Sequence, residues 1–188
     1  MAGQADVPEQ MELQMTNSPG HVSYITHDAP VWRAEHNYIA MVDLAPFGFE
    51  DEWEQVWLRP LEGDEFEFCC IPFRVYGVAL GDRVKLRDGK FVSSVASKSG
   101  RRVFRVFFTA PRPPIRGSDL RGALRSAISS GGFLSEWSGD RHVAVDIPAA
   151  VDPAGLFAAV EREIRDGTAY WEWGDAEPFK AEVGGHAE

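Results

Sequence analysis

From His21 to about Thr109 the sequence runs in short apolar stretches broken by turn residues, the punctuation of an antiparallel β region and not of helices. Candidate strands are Val22–Thr26, Asn37–Leu44, Glu52–Arg59, Glu65–Cys70, Arg83–Arg87, Phe91–Ser97 and Arg102–Thr109. In Glu65-Phe66-Glu67-Phe68 the alternation has period two, so the phenylalanines face a core and the glutamates face water. Leu61-Glu62-Gly63-Asp64 and Arg87-Asp88-Gly89-Lys90 supply turns between strands, and Asp-Gly is a strong hairpin signal. So many short strands bury their inner faces most economically in a curled sheet or a barrel-like arrangement, which leaves few long edges.

The second half has a different rhythm. Ser118 is placed to cap a helix reaching about Ser130, with Leu120, Leu124 and Ile128 on one side and Ala123 and Ala127 beside them. Phe133–Ser138 and His142–Ile147 read as a hairpin around Gly139-Asp140, with Val143, Val145 and Ile147 on the buried face and His142, Ala144 and Asp146 on the other. Asp152-Pro153 opens a second helix along Leu156, Phe157, Val160 and Ile164, Gly167 stops it, and Thr168–Trp173 is a final strand. With Arg102–Thr109 in front, the order is that of the ferredoxin-like βαββαβ unit, two helices over a four-stranded antiparallel sheet. The expected fold class is therefore α+β. Residues 1–20 form a flexible leader, 21–100 an antiparallel β region, 101–176 the ferredoxin-like unit and 177–188 a flexible tail.

Of the 188 residues 44% are hydrophobic and 26% charged, which excludes a disordered chain. No apolar run has the length of a membrane span or of a signal peptide, and the only cysteines, Cys69 and Cys70, are adjacent and poorly placed to bridge, so a reduced cytoplasmic compartment is expected. The net charge of −10 weighs against nucleic acid, yet the charge is uneven: between Leu80 and Ser126 stand twelve basic residues and three acidic ones, a local +9. Lys98, Arg101, Arg102, Arg105, Arg112 and Arg116 are the candidate binding residues of this stretch. Two readings compete for it. Either it steers an acidic protein partner or a phosphate-bearing ligand to one side of the molecule, or the cations pair within the chain, for instance Arg121 and Arg125 with Glu161 and Glu163.

His21, His27, His36, His142 and His186 occur singly, and vicinal Cys69-Cys70 on a strand point to opposite faces, so no metal set converges. Cys70 reads as a small buried hydrophobe rather than a nucleophile. There is no phosphate loop, dinucleotide fingerprint, nucleophile elbow or zinc-protease helix. The carboxylates of Glu50-Asp51-Glu52, Glu54, Glu172 and Asp175 read as solvated edges of strands and turns, and Trp137, Trp171 and Trp173 as packing residues, because the strand Arg141–Asp146 lacks an RNA-recognition pattern. No catalytic residue, metal or cofactor is assigned.

The run from Trp53-Glu54-Gln55-Val56-Trp57 through Cys69-Cys70-Ile71-Pro72-Phe73, then Tyr76-Gly77, Leu80-Gly81-Asp82 and Ser99-Gly100-Arg101, resembles a bacterial domain-of-unknown-function family, number 4265. The similarity runs from about Asp51 to Val106 and more weakly to the end, and the resemblance implies no activity. Pro72 fixes a bend, and Gly77 and Gly81 permit tight turns, so the motif is explained as architecture. The functional expectation is a non-catalytic bacterial interaction protein, an immunity or regulatory factor docking a partner through its basic surface. The alternative is a small-molecule or phosphate-ligand protein, or an enzyme of a biosynthetic pathway, with a pocket between its two halves.

Overall fold

The computed structural model describes residues 22–35, 37–109 and 120–181. Strands form where period-two runs end at turn residues: β1 (Ser23–Ile25), β2 (Tyr38–Asp43), β3 (Glu52–Pro60), β4 (Glu65–Phe68), β5 (Arg83–Arg87), β6 (Phe91–Ser97) and β7 (Arg102–Phe108). Helix α1 (Leu120–Ser130), the hairpin of β8 (Leu134–Ser138) and β9 (His142–Ile147), helix α2 (Ala154–Arg165) and β10 (Ala169–Trp173) complete them. The described chain is thus α+β, two helices and many strands, with the strands divided between two sheets. None of its helices is long and apolar enough to cross a membrane.

The first sheet runs β1-β3-β2-β6-β5-β4, and β4 also pairs with β3, so the sheet curls over the core of Val42, Val56, Leu58, Phe68 and Val84. It is no closed barrel, which corrects the barrel-like expectation: β2 and β6 meet at one register pair, Met41↔Phe91. Nor is it wholly antiparallel. β1 lies parallel to β3 and β2 to β6, and strands brought together by chain that passes through intervening elements need not reverse direction. The β5–β6 turn is where it was expected, with Asp88 and Gly89 both at positive φ, 54° and 62°, as a type I′ hairpin requires.

The second sheet runs β10-β7-β9-β8, antiparallel at each join. Leu124 and Ile128 of α1 and Leu156 and Val160 of α2 pack on one face, against Phe104, Val106, Val143 and Val145. Ala123, expected on the buried side of α1, is exposed; Arg121 is buried in line with Leu124 and Ile128, its guanidinium 2.9 Å from Asp140. The opposite face is not open to water. The loop between β4 and β5 lies across it, and Ile71, Phe73 and Ala79 of that loop form a third core with Val103 and Ala144. Both faces of β9 are therefore covered, and Ala144 and Asp146 are fully buried together with Val143 and Val145. Residues 177–181, expected to begin a loose tail, return to the first sheet, where Phe179 packs on its core. The expected cap at Ser118 and the candidate binding residues Arg112 and Arg116 lie outside the described residues.

Candidate functional site

Strand register builds the junction between the two sheets. Glu136 of β8, Ala144 of β9, Arg105 of β7 and Glu172 of β10 are successive cross-strand partners, and alternation puts the row on the face away from the helices. The next row on that face is Ser138, His142, Phe107 and Tyr170. Three polar groups of the first row then point at the β4–β5 loop, whose bend at Pro72 exposes backbone amides and carbonyls to them.

Arg105 is buried, and each nitrogen of its guanidinium is used: Nε donates to Pro72 O at 3.1 Å, Nη1 to Glu172 Oε1 at 3.0 Å and Nη2 to Val75 O. The second oxygen of Glu172 accepts the Tyr76 hydroxyl at 2.5 Å. Burial, then this bond, lifts the phenol to about 12. Across the loop, His27 bridges two buried carboxylates, with Nε2 3.1 Å from Glu54 Oε1 and Nδ1 2.5 Å from Glu136 Oε2. Glu136 Oε1 accepts the amides of Val31 and Ile71, and Glu54 accepts those of Phe73, Arg74 and Val75. Burial alone would strip the proton from His27. The Cys70 sulfur and the two carboxylates outweigh burial and hold its pKa well above the ordinary value, while His27 and Arg105 hold Glu54 below its own against the opposing effect of burial. The His27, Glu54 and Glu136 side chains are buried and hydrogen-bonded to one another and to loop amides, and Arg105 is buried against loop carbonyls, so the cluster fastens the loop 71–76 in place, while Glu172 and Tyr76 reach the cleft.

The fastened loop forms one side of a cleft of about 280 Å³ between the two halves. Phe49 and Phe73 line it from the first half, Phe107 and Tyr170 from the second sheet. Phe107 and Tyr170 are exposed, Tyr170 at 63%. Polar groups enter from both sides: Arg74 and Tyr76 of the loop, His142, Arg105 and Glu172 of the sheet. The His142 ring lies 5.5 Å from that of Phe73 and 6.0 Å from that of Phe107, and among the described residues it makes no hydrogen bond. Burial, and then the positive charge of Arg105, lowers its pKa to about 4, so at neutral pH it is an uncharged imidazole. Arg74 lies over the Phe49 ring at 4.9 Å and pairs through Nη1 with Glu52.

The basic residues singled out in the sequence part company. Lys98, Arg101 and Arg102 come together around a second hollow of about 280 Å³, and each is held by a carboxylate of this chain: Lys98 by Asp82 at 3.1 Å, Arg101 by Asp146, and Arg102 by Asp175 at 2.9 Å. Arg105 turns to the cleft instead. Arg121 and Arg125 do not face the glutamates of α2, as the sequence suggested. Arg121 meets Asp140 and Arg125 lies over Trp137, while Glu161 pairs with Arg165 and Glu163 with Thr168. The view of Glu54 as a solvated edge is also corrected, since its side chain is fully buried. Cys69 and Cys70 are free and buried; burial pushes the Cys69 thiol to about 11 and raises that of Cys70, so neither is a nucleophile at neutral pH. The described residues bring together no set of three or more His, Cys, Asp or Glu arranged to hold a metal.

Sequence reasoning missed His27, Glu54, Glu136, Tyr76 and His142 as members of the junction. Only Glu54 carried a local signal, since it stands in phase with Val56 and Leu58 on the inward side of β3, where a lone charge requires buried partners.

The family described as Domain of unknown function (DUF4265) matches residues 54–171, a span that begins in β3, ends in β10 and includes the β4–β5 loop but not β1 or β2. Among solved structures, a hypothetical protein from Neisseria gonorrhoeae is similar in fold, with a TM-score of 0.58 and 16% identity over 76% of this chain and 97% of that one. No curated protein matches the chain.

Proposed function

We propose that this chain, which belongs to the DUF4265 family, binds a small molecule in the cleft between its two sheets. The observation that carries the reading is the cleft itself: aromatic side chains contributed by both halves around an uncharged histidine with no partner. Ligand sites are mostly apolar concavities with a few convergent polar groups, and this one, at about 280 Å³, lies just below their usual range of about 300–1,000 Å³. A solvated aromatic wall is costly to leave bare, so covering Phe107 and Tyr170 favours any flat ligand that fits.

Docking of an acidic partner by an immunity or regulatory factor ranks below it, because an incoming carboxylate would have to displace Asp82, Asp146 or Asp175 from its cation. Two finer readings belong with this proposal. The strand order β10-β7-β9-β8 under two helices supports a ferredoxin-like unit in the second half, and two free buried cysteines favour a reduced compartment such as the cytoplasm.

The test is a thermal-shift screen of small metabolites, phosphorylated and not, on the wild-type chain and on Phe107→Ala. A cleft ligand raises the wild-type melting temperature in proportion to the logarithm of its concentration and loses that effect in the variant. A screen without hits, or hits that the variant retains in full, overturns the reading.

A further inference from the structure

We infer that the cleft selects a flat aromatic carboxylate, an inference that rests on the cleft being a ligand site at all. Glu172 is the carboxylate of the cleft, and both its oxygens are taken, Oε1 by Arg105 and Oε2 by Tyr76. Arg105 is equally committed, to Glu172 and to the carbonyls of Pro72 and Val75. What remains is Arg74 and His142, together with the Tyr170 hydroxyl and the Trp171 indole N–H. Arg74 gives Nη1 to Glu52, and its Nε and Nη2 donate to no other described residue, while its side chain stays 36% exposed beside the cleft. The uncharged imidazole of His142 adds one donor and one acceptor.

The cleft therefore has free donors, and its one carboxylate, Glu172, is already paired with Arg105, so it suits an acceptor-rich ligand better than a cationic one. A guanidinium with two adjacent free N–H groups matches the two oxygens of a carboxylate in a bidentate pair. Electrostatics point the same way. Burial first, and then the Arg105 guanidinium, depresses His142, with Arg74 adding to Arg105 against the opposing pull of Glu54 and Glu172. The walls set the shape. Phe49, Phe73, Phe107 and Tyr170 offer rings with which a planar unsaturated body stacks or meets edge to face, while the volume leaves little room beyond one small ring system. The ligand so described lays its ring among these side chains and turns its carboxylate toward Arg74.

Matched pairs of probes isolate the charge from the ring: the carboxylates and the carboxamides of benzene, quinoline and indole, with acetate as the anion without a ring. Titration calorimetry on the full chain at neutral pH should show the best carboxylate binding at least tenfold more tightly than its carboxamide, with no heat from acetate. Arg74→Gln should bring the two members of the pair to within about twofold of each other, because the carboxylate loses more than the carboxamide. If carboxamides bind as well as carboxylates, the assignment of charge fails and the ligand cleft stands. If no ring compound binds, the cleft reading fails with it. Should Arg74→Gln not fold, the wild-type comparison of each pair decides the question without it.

Discussion

His27 and His142 flank the same ring, Phe73, at 4.5 and 5.5 Å, and are driven to opposite charge states. His27 has carboxylates on both nitrogens, whereas His142 faces rings and two guanidinium groups; the difference is one of partners and not of depth. The consequence for stability follows from which state binds the proton first. His27, with a raised pKa, contributes fully below the unfolded value of about 6.5 and loses that contribution as pH rises through its folded value. Glu54, lowered, contributes above about 4.5 and loses that as pH falls through its folded value. His142 works the other way from His27. Its folded pKa of about 4 lies below the unfolded one, so as pH falls from about 6.5 the unfolded chain takes up a proton that the folded chain refuses. Of the three, His142 alone changes the balance between about pH 6.5 and 4.5, and it lowers stability there by as much as about 3 kcal/mol. Urea unfolding of the wild type should show midpoints falling across that interval, and His142→Phe should flatten the fall. Equal slopes in the two proteins would exclude His142 as the cause.

At the scale of elements, local pattern and long-range packing divide the credit. β5, β6 and β9 have the limits expected from alternation and turn chemistry, because their ends are fixed by residues within the hairpin itself. The faces are another matter. Alternation in β9 separates Val143 and Val145 from Ala144 and Asp146, but it has no means of saying that Ala144 meets the β4–β5 loop instead of water, since that cover comes from more than sixty residues away in the chain. Glu136 was illegible for the same reason: its neighbour Leu134 is exposed while the glutamate is buried, the reverse of the hydrophobic rule. α1 shows a third case. Three apolar positions fitted a stripe through Ala123, yet the long stem of Arg121 takes a buried position while its head reaches Asp140. The covered face makes a prediction that an open face would not. Ala144→Leu, placed between Arg105 and Glu136 on a fully buried site, should destabilise by about 1–3 kcal/mol through overpacking. Were the face solvated, leucine would be tolerated, and an unchanged urea midpoint would show as much.

Beyond the third core and the bonds of Arg105 and Glu172 to the β4–β5 loop, the whole molecule is tied across its halves at two further places. The excess of +9 in the middle of the sequence is spread over pairs that close locally, Arg83 with Glu65, Lys85 with Asp64 and Lys98 with Asp82, several of them solvated and worth about 0–1 kcal/mol each. One tie is the buried His27 bridge between Glu54 of the first sheet and Glu136 of the second. The other is the segment after β10, which leaves the second sheet and crosses back: Gly77 N–H donates to Gly174 O at 2.8 Å, and Phe179 enters the first-sheet core beside Phe47. The crossing passes so close to Gly77 that a Cβ there would stand 2.6 Å from Pro178 C and 2.8 Å from Phe179 Cα, and the φ of +69° already disfavours any side chain. Backbone cannot yield as a flexible side chain would, so Gly77→Ala must lift the segment off the sheet. The expected loss is about 2 kcal/mol or more, combining the left-handed conformation with the displaced phenylalanine. Phe179→Ala should cost a similar amount by emptying the same contact. Because both act on one docking event, the double variant in urea unfolding should lose clearly less than the sum of the singles; full additivity would mean that Gly77 and Phe179 serve separate parts of the fold.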